Sequence, residues 1–311
     1  TRVPVERIRT VDGRVECTRR PDVLAVEEPL EIRAAGQVIT VTMRTPGADI
    51  DLVHGYLLAE GIITSADEIR TARYCAGSVA TGPDGVEQNT YNVLDVDLED
   101  PSRIPGGLSR TALSTSACGI CGSASIDAIA ARLPARRHTD QSTATLTPAT
   151  IATLVDGLRS GQAVFDRTGG LHAAAYADTT GTIHAHAEDV GRHNAVDKVL
   201  GAALRAGVLP RADSVLVVSS RASFEIVQKA SMAQIPIVVV VSAPSSLAVE
   251  TAAALGITLV AFARGDRGRP EGVAVDFVVT GIVRPMAGRG ARDGGRRAGA
   301  GGHRPAHAQR G

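Results

Sequence analysis

Between residues 29 and 46 the chain reads PLEIRAAGQVITVTMRTP, with apolar and polar positions alternating on either side of Ala34-Ala35-Gly36. That period of two predicts a β-hairpin. The next run, ADIDLVHGYLLAEGII (48–63), changes period. Ile50, Val53, Leu57 and Leu58 share one helical face and Gly61 supplies the stop. NTYNVLDVDL (89–98) alternates again and predicts a strand. Residues 1–110 therefore predict a small α+β domain.

A stretch rich in proline, glycine and serine follows, EDPSRIPGGLSRTALSTSACGICG (99–122). A loop of about two dozen residues is long for a structureless connection, and such loops are commonly functional. SASIDAIAARL (123–133) then predicts a helix. TPATIATLVDGLRSG (147–161) predicts another, with Thr147 as N-cap, Pro148 at the first helical position and Gly161 at the end. From residue 171 the alternation is regular. Strands at 171–178 and 182–188 flank a Thr-Thr-Gly turn and are expected to pair with each other. Helix 191–207, strand 214–220, helix 223–234, strand 235–241, helix 245–256 and strand 257–263 follow. Strands that are apolar throughout and alternate with helices predict a parallel sheet covered on both faces. The expectation is a three-layer α/β domain over residues 111–267. Beyond Gly268 the periodicity fades. PEGVAVDFVVTGIV (270–283) keeps a strand pattern, but the glycine-arginine-alanine remainder cannot bury enough apolar surface to offset its ordering entropy. Residues 268–311 are expected to be a mostly disordered tail.

Charge and composition narrow the function classes. The formal net charge is +0, but from Arg284 onward seven arginines face one acid, Asp293, so the tail carries +6 and the body −6. An acidic body disfavours non-specific nucleic-acid binding. Aromatics at 3% with no tryptophan leave little for base stacking. No apolar run approaches membrane-spanning length, and Ile235–Val241 reads as a buried strand. TRVPVERIRT at the start has no apolar signal segment, which predicts a cytoplasmic protein. Four cysteines in a chain this long are no disulfide framework. The close pair Cys118/Cys121 points instead to metal binding or thiol chemistry.

Three chemistries compete for that pair. A zinc site lacks a second CxxC, though His186-Ala187-Glu188 matches the H-x-E of zinc deaminases. In those enzymes the cysteine pair follows the H-x-E with proline before it. Here it precedes, with Ala117 in the proline's place. The alternation of His184, His186 and Glu188 against Ile183, Ala185 and Ala187 is also what an edge strand produces. A dithiol–disulfide couple fits the i, i+3 spacing near a helix start, which favours thiolate. Gly119 and Gly122, however, make the site more flexible than a thioredoxin-type one. The third option is a sulfur carrier on a mobile arm.

Further polar clusters fall at strand–helix junctions. EDVGRHNAVDK (188–198) gathers Asp189, Arg192, His193, Asn194, Asp197 and Lys198. SSRASFEIVQK (219–229) places Arg221 and Ser223 beyond a strand end, SAPSS (242–246) follows the next strand, and AFARGDR (261–267) the last. Carboxyl ends of strands form the ligand crevice of open α/β sheets, and Arg192, Arg221, Arg264 and Arg267 are phosphate donors by type. Caps and solvated ion pairs would explain any one junction; four in succession favour a polyanionic ligand. No G-x-G-x-x-G or P-loop is present. His172, at the start of a strand, reads as structural.

Taken together, EEPLEIR (27–33), MRTPG (43–47), LLAEGII (57–63), CGICG (118–122), TGGLHAAA (168–175), EDVGRHNAVDKV (188–199), RASFEIVQKA (221–230) and IPIVVVVSAPSSLAVE (235–250) resemble the formate dehydrogenase accessory sulfurtransferase family, FdhD, over residues 23–267. The resemblance implies a cytidine-deaminase-like α/β domain, a homodimer and no catalytic metal. It implies a cysteine desulfurase as sulfur donor and formate dehydrogenase as the enzyme served. Molybdenum bis(molybdopterin guanine dinucleotide) is the implied bound substrate. Cys118 would form the persulfide, with Cys121 as partner. Phe262, Ala263, Arg264, Gly265, Asp266 and Arg267 match the family's guanine-dinucleotide segment, and Ser219, Arg221, Arg192 and His193 would join them. Two departures stand out. Ser219-Ser220-Arg221 replaces the family's Ser-Gly-Arg, so either Ser220 tolerates a glycine-like backbone or the loop shifts. GRPEGVAVDF replaces a short aromatic-containing strand after the last arginine. Two other readings remain: a zinc-dependent deaminase-like hydrolase, and a non-catalytic chaperone that holds the cofactor.

Overall fold

The computed structural model describes residues 1–75, 79–81, 87–89, 92–104, 146–265 and 278–280. The helix expected at 123–133, the cysteine pair, Asp266, Arg267 and most of the tail lie outside the described residues.

An N-terminal ribbon, β1 (Arg2–Val11) with β2 (Arg14–Val23), forms a two-stranded sheet of its own. The predicted hairpin follows as β3 (Glu28–Ala34) and β4 (Gln37–Arg44), joined by Ala35 and Gly36 at φ 50° and 72°. Two successive left-handed residues make the primed turn that matches strand twist. Helix α1 (Asp49–Ala59) comes next. It ends in a Schellman arrangement: Gly61 N–H donates to Leu58 O (3.0 Å), and Ile62 N–H donates to Leu57 O (2.9 Å). Strand β5 (Ile69–Tyr74), the short pair β6 (Val79–Thr81) and β7 (Glu87–Asn89), and β8 (Val93–Leu98) complete this half. Of the strand read at 89–98, residues 93–98 form β8 and Asn89 ends β7. β4-β3-β8-β5 form a four-stranded sheet.

The second half holds α2 (Pro148–Ser160), α3 (Ala163–Thr168), β9 (His172–Asp178), β10 (Ile183–Asp189), α4 (Arg192–Arg205), β11 (Ser214–Val218), α5 (Phe224–Met232), β12 (Ile237–Val240), α6 (Ser246–Ala254), β13 (Thr258–Ala261) and β14 (Val278–Thr280). Thr147 caps α2, its Oγ1 accepting from Thr150 N–H at 3.1 Å. The large sheet runs β10-β9-β11-β12-β13-β14. Only β11, β12 and β13 are parallel; β9, β10 and β14 run antiparallel to their neighbours. The parallel arrangement expected of the apolar strands is confined to β11, β12 and β13 among the described strands, and the two strands expected to pair across the Thr-Thr-Gly turn do so as β9 and β10. A strand pair closed by a three-residue turn has no room for a crossover, so β9 and β10 must be antiparallel. The strand pattern near residue 278 was sound: β14 sits on the sheet edge.

Helices cover both faces, as the fully buried β11 and β12 require. On one face Ile151, Leu154, Val155 and Leu158 of α2 pack on Ala173, Ala175, Val215, Val217 and Val239. On the other, Val196, Val199 and Leu200 of α4 and Ile226 of α5 cover Ala174, Tyr176, Leu216 and Val238. That core continues through Leu52, Val53 and Leu57 of α1 to Leu30, Ile32 and Leu94 of the small sheet. Helix α1, buried from two sides, therefore shows only a weak amphipathic pattern. It meets α4 at Gly55 and Gly201, where a methyl group on either would collide with the other helix's backbone.

Candidate functional site

The carboxyl ends of β11, β12 and β13 open toward one side of the sheet, and two antiparallel elements join them. Because β9 runs against β11, its first residue, His172, lies at this end. Ser219 N–H donates to Ala173 O (3.0 Å), and Ala173 N–H donates back to Ser219 Oγ (2.9 Å). Asp189, the last residue of β10, pairs with His172 across the ladder. Helix α4 then starts at Arg192 and α5 at Phe224, so His172, Arg192, His193, Ser219, Arg221 and Ser223 all fall at this end of the sheet.

Much of the polar cluster in EDVGRHNAVDK turns out to hold the architecture together. Asp189 pairs with Lys198 at 2.7 Å and accepts from Thr45 N–H at 3.1 Å and Gly191 N–H at 2.8 Å. Lys198 also donates to Thr45 O (2.7 Å), while Asn194 bridges Met43 O (2.7 Å) and Thr42 Oγ1 (3.0 Å). Asp197 is paired with Lys229 of α5 at 2.7 Å, both buried. Arg44, itself buried, grips Asp49 through Nε (3.1 Å) and Nη2 (2.9 Å). The MRTPG and EDVGRHNAVDK blocks are therefore two halves of one lock, which sets the start of α4 against the small sheet.

Arg192 and His193 are outside that lock. The Arg192 Nε is buried without a hydrogen-bond partner. His193 Nε2 lies 3.5 Å from Ser223 Oγ and 3.8 Å from Glu225 Oε2. Burial first, then the nearby charges of Lys229 and Arg192, drive the His193 imidazole down to about 4. Burial and Arg192 likewise lower His172, against a smaller opposing pull from Asp189. Sequence reasoning passed over His172 because only an antiparallel β9 brings a strand start to the crevice.

The last junction has an unusual backbone. Phe262 adopts φ 56° and remains 40% exposed. A bulky residue in the left-handed region is strained by about 1 kcal/mol or more. Its amide donates to Ser242 O at 3.2 Å, and the Ala263 amide donates to Val240 O at 3.0 Å. Ala263 is fully buried, so its side chain serves packing. Arg264 is exposed and folds its Nη1 back onto Val241 O and Ala263 O. Gly265 is half-buried near Asp156, and Arg221 is exposed. Ser220 is buried, its Oγ donating to Arg221 O at 3.1 Å. It is not among the non-glycine residues at positive φ, so the expected glycine-like backbone is not required there.

His186 and Glu188 have other duties. His186 Nε2 contacts Leu158 O (3.3 Å), and the Glu188 carboxylate accepts the Val164 and Phe165 amides at 2.9 and 2.7 Å, capping α3. Their alternation is that of an edge strand, and β10 is one. Among the described residues no three His, Cys, Asp or Glu side chains cluster in a way that could hold a metal ion.

Comparison with known proteins gives this geometry its context. The FdhD/NarQ family model matches residues 25–269. The chain belongs to the FdhD/NarQ family. Its relatives include proteins named sulfur carrier protein FdhD. The one from Nocardia farcinica is 54% identical over 250 residues, covering 80% of this chain and 85% of the relative. Those from Corynebacterium efficiens and Mycobacterium tuberculosis are 51% and 52% identical, covering 85% and 79% of this chain and 94% and 88% of theirs. A crystal structure from Desulfotalea psychrophila, of a protein proposed to be a formate dehydrogenase accessory protein, shares the fold. Its TM-score is 0.62 at 23% identity, over 90% of this chain and 96% of that one. The FdhD/NarQ match contains the CGICG stretch, every strand of the large sheet except β14, and all four junctions. It begins after the β1–β2 ribbon. Among the described residues no helix is long and apolar enough to cross a membrane.

Proposed function

We propose that this chain is a cytoplasmic sulfurtransferase acting as a homodimeric sulfur carrier in formate dehydrogenase maturation. The observation that carries this reading is about half identity to proteins named sulfur carrier protein FdhD, in an alignable span that includes Cys118 and Cys121. Cysteine desulfurase supplies the sulfur. The Cys118 thiolate attacks the outer sulfur of the desulfurase persulfide; one S–S bond forms as the other breaks, and the desulfurase thiolate leaves with a proton. Attack by Cys121 on the inner sulfur of Cys118 then releases the outer sulfur at the sulfide level. The resulting Cys118–Cys121 disulfide is reset by a thiol reductant, so the electrons balance.

The recipient is molybdenum in bis(molybdopterin guanine dinucleotide), held as substrate at the carboxyl end of the sheet. Arg192, His193, Ser219 and Arg221 are suited to its phosphates. Phe262 offers an exposed ring for a purine face, and the segment to Arg267 continues the contact. A ligand platform also accounts for the strain at Phe262.

The test is intact-mass spectrometry after incubation with a cysteine desulfurase and L-cysteine. A gain of about 32 Da that maps to Cys118 and is removed by dithiothreitol is expected, as persulfides are reducible. No adduct on Cys118 would sink the carrier reading. Full formate dehydrogenase activity from cells whose only copy is Cys118→Ala would leave a cofactor-holding chaperone instead.

A further inference from the structure

The β1–β2 ribbon precedes the span matched by the FdhD/NarQ family, and neither the crevice nor the cysteine pair uses it. Its base is seated: Asp22 and Val23 are half-buried, β2 touches α3, and Ala25 lies beside Gly170. From Ile8 to Pro21 every residue is exposed, Ile8 at 66% and Val15 at 67%. A two-stranded ribbon is marginal in water, and a stable sheet usually needs a third strand or more. Its edges also carry unpaired backbone groups, which are a template for another strand. Which groups face outward follows from the ladder. Thr1 N donates to Leu24 O (3.1 Å), and Leu24 N–H donates back to Thr1 O (2.8 Å). Bonded and non-bonded pairs alternate from there, so Val3–Asp22 is bonded and Pro4–Pro21 is not. Two prolines can therefore face each other without losing a ladder bond. In β2 the residues Val15, Cys17, Arg19 and Pro21 turn their backbone groups to the open edge. Pro21 has no N–H to offer, so the fully open stretch runs from Val15 to Arg19.

We infer that this edge of β2 pairs antiparallel with the β2 edge of a second copy, about a two-fold axis through Thr18. The inference gives an interface to the homodimer proposed above and rests on that part of the reading, but takes nothing from the sulfur chemistry. Charge selects both the partner and the register. With Thr18 opposite Thr18, Glu16 lies opposite Arg20 of the second copy, Arg14 opposite its Asp22, and Cys17 opposite its Arg19. Glu16 also has Arg9 across its own ribbon, and Arg19 has Glu6. Opposite charges therefore meet across the axis and like charges do not, which favours the pairing. Val15 meets Pro21 of the second copy, next to its Pro4, so part of the exposed apolar strip is covered. Other registers fail. Centred on Cys17, Arg14 opposes Arg20; centred on Glu16 or Arg19, that residue opposes itself. The β1 edge offers no equivalent, because centring it on Glu6, Arg7, Ile8 or Arg9 sets like charges against each other. Pairing β1 of one copy with β2 of the next would not close, whereas β2 with β2 is self-complementary and stops at two.

Sedimentation velocity of the whole chain between about 1 and 100 μM should show a dimer that dissociates within that range, as suits a contact at the small end of interface sizes. Arg20→Glu is the first variant, because the cross-strand neighbour of Arg20 in its own ribbon is the uncharged Val5. It makes both Glu16–Arg20 contacts repulsive and should raise the dissociation constant about tenfold or more, with a smaller effect in about 0.5 M sodium chloride. Adding Glu16→Arg exchanges the two charges and should restore the dimer. Cysteine placement reads the register. Thr18→Cys in a Cys17→Ser background, treated with oxidised glutathione, should give a dimer whose tryptic map joins residue 18 to residue 18, since opposed residues of a non-bonded pair lie about 4.5 Å apart at Cα, within disulfide reach. Glu16→Cys in the same background should not link to itself. A dimer unaffected by Arg20→Glu, with no link at residue 18, overturns the ribbon interface and leaves the homodimer standing. A chain that stays monomeric over the whole range overturns both. Self-linkage at residue 16, or at Cys17 in the unaltered chain, overturns the register. Persulfide loading of Cys118 is read separately by mass, so failure of the carrier reading and failure of the interface are distinguishable.

Discussion

Substituting Gly201 by alanine tests whether the α1–α4 contact governs the site. In an exposed helix interior this change stabilises by about 1 kcal/mol, because alanine is the better helix former. Here a methyl group would sit 2.7 Å from the Asp51 carbonyl carbon and 2.8 Å from Gly55 N, and nearer still to the Asp51 oxygen. All three are backbone atoms of α1, which cannot rotate away. Restoring ordinary contact means moving the helices apart by well over 1 Å, and a gap of even about 1 Å forfeits roughly a quarter to a half of the dispersion energy across the interface. Overpacking of this kind costs about 1–3 kcal/mol beyond the propensity gain. The variant should therefore be less stable in urea unfolding, with its midpoint lowered and its slope unchanged.

The internal control is Gly157→Ala in α2. There the added methyl meets only the Cδ1 tip of Ile183, at 2.7 Å. A side-chain tip can rotate, so this variant should be neutral or slightly more stable. A Gly201→Ala protein as stable as Gly157→Ala would refute the claim that glycine sets the helix separation.

Three further outcomes are expected. Arg44→Met should cost about 3–5 kcal/mol by urea denaturation, because it strands the buried Asp49 carboxylate that Arg44 grips in two places; a loss under 1 kcal/mol would mean that Tyr74, donating to Asp49 at 2.9 Å, suffices alone. Burial pushes the Asp178 carboxyl up, but hydrogen bonds from Thr180, His184 and the amide of Thr182 outweigh it and hold the group at about 2. A depressed carboxylate stabilises the fold above its unfolded value, and that contribution disappears as pH falls from about 4 to about 2. Asp178→Asn should flatten the acid limb of a stability–pH curve by roughly 2 kcal/mol, and an unchanged limb would count against this assignment. Ala35→Asn, on the exposed turn between β3 and β4 where φ is 50°, should raise the urea midpoint by the equivalent of about 0.5–1 kcal/mol, since asparagine tolerates the left-handed region better; a lowered midpoint would contradict the turn assignment.

The elements legible in the sequence were those whose signals are local. Thr147, Pro148 and Gly161 mark both ends of α2 without reference to anything distant, and Ala34-Ala35-Gly36 marks the β3–β4 turn. Strand direction was not local information. Apolar runs such as SVLVVSS and LHAAAYAD look alike, yet β11 is parallel to β12 and antiparallel to β9. The three-residue turn after β9 gave its pairing with β10, but no local signal shows that β9 also runs against β11. The same limit explains why Asp189, Asn194, Asp197 and Lys198 read as crevice residues. Their partners, Met43, Thr45 and Lys229, are distant in sequence, and proximity in the fold cannot be inferred from composition at one junction.

That misreading clarifies the site. A polar residue at a strand–helix junction can either bind a ligand or hold the junction still, and satisfaction of its hydrogen bonds separates the two. Asp189 accepts from two backbone amides and pairs with Lys198, and Asn194 is spanned by Met43 and Thr42; neither has capacity left for a ligand. Arg192, one turn away, is left with a buried donor unmet. An evolved chain spends few such groups on nothing, because each costs about 1–3 kcal/mol. The lock and the unmet donor are then parts of one device. Rigid partners fix the start of α4 to the small sheet, so on the cofactor-binding reading proposed above Arg192 and His193 are ordered by folding, and that cost does not fall on binding.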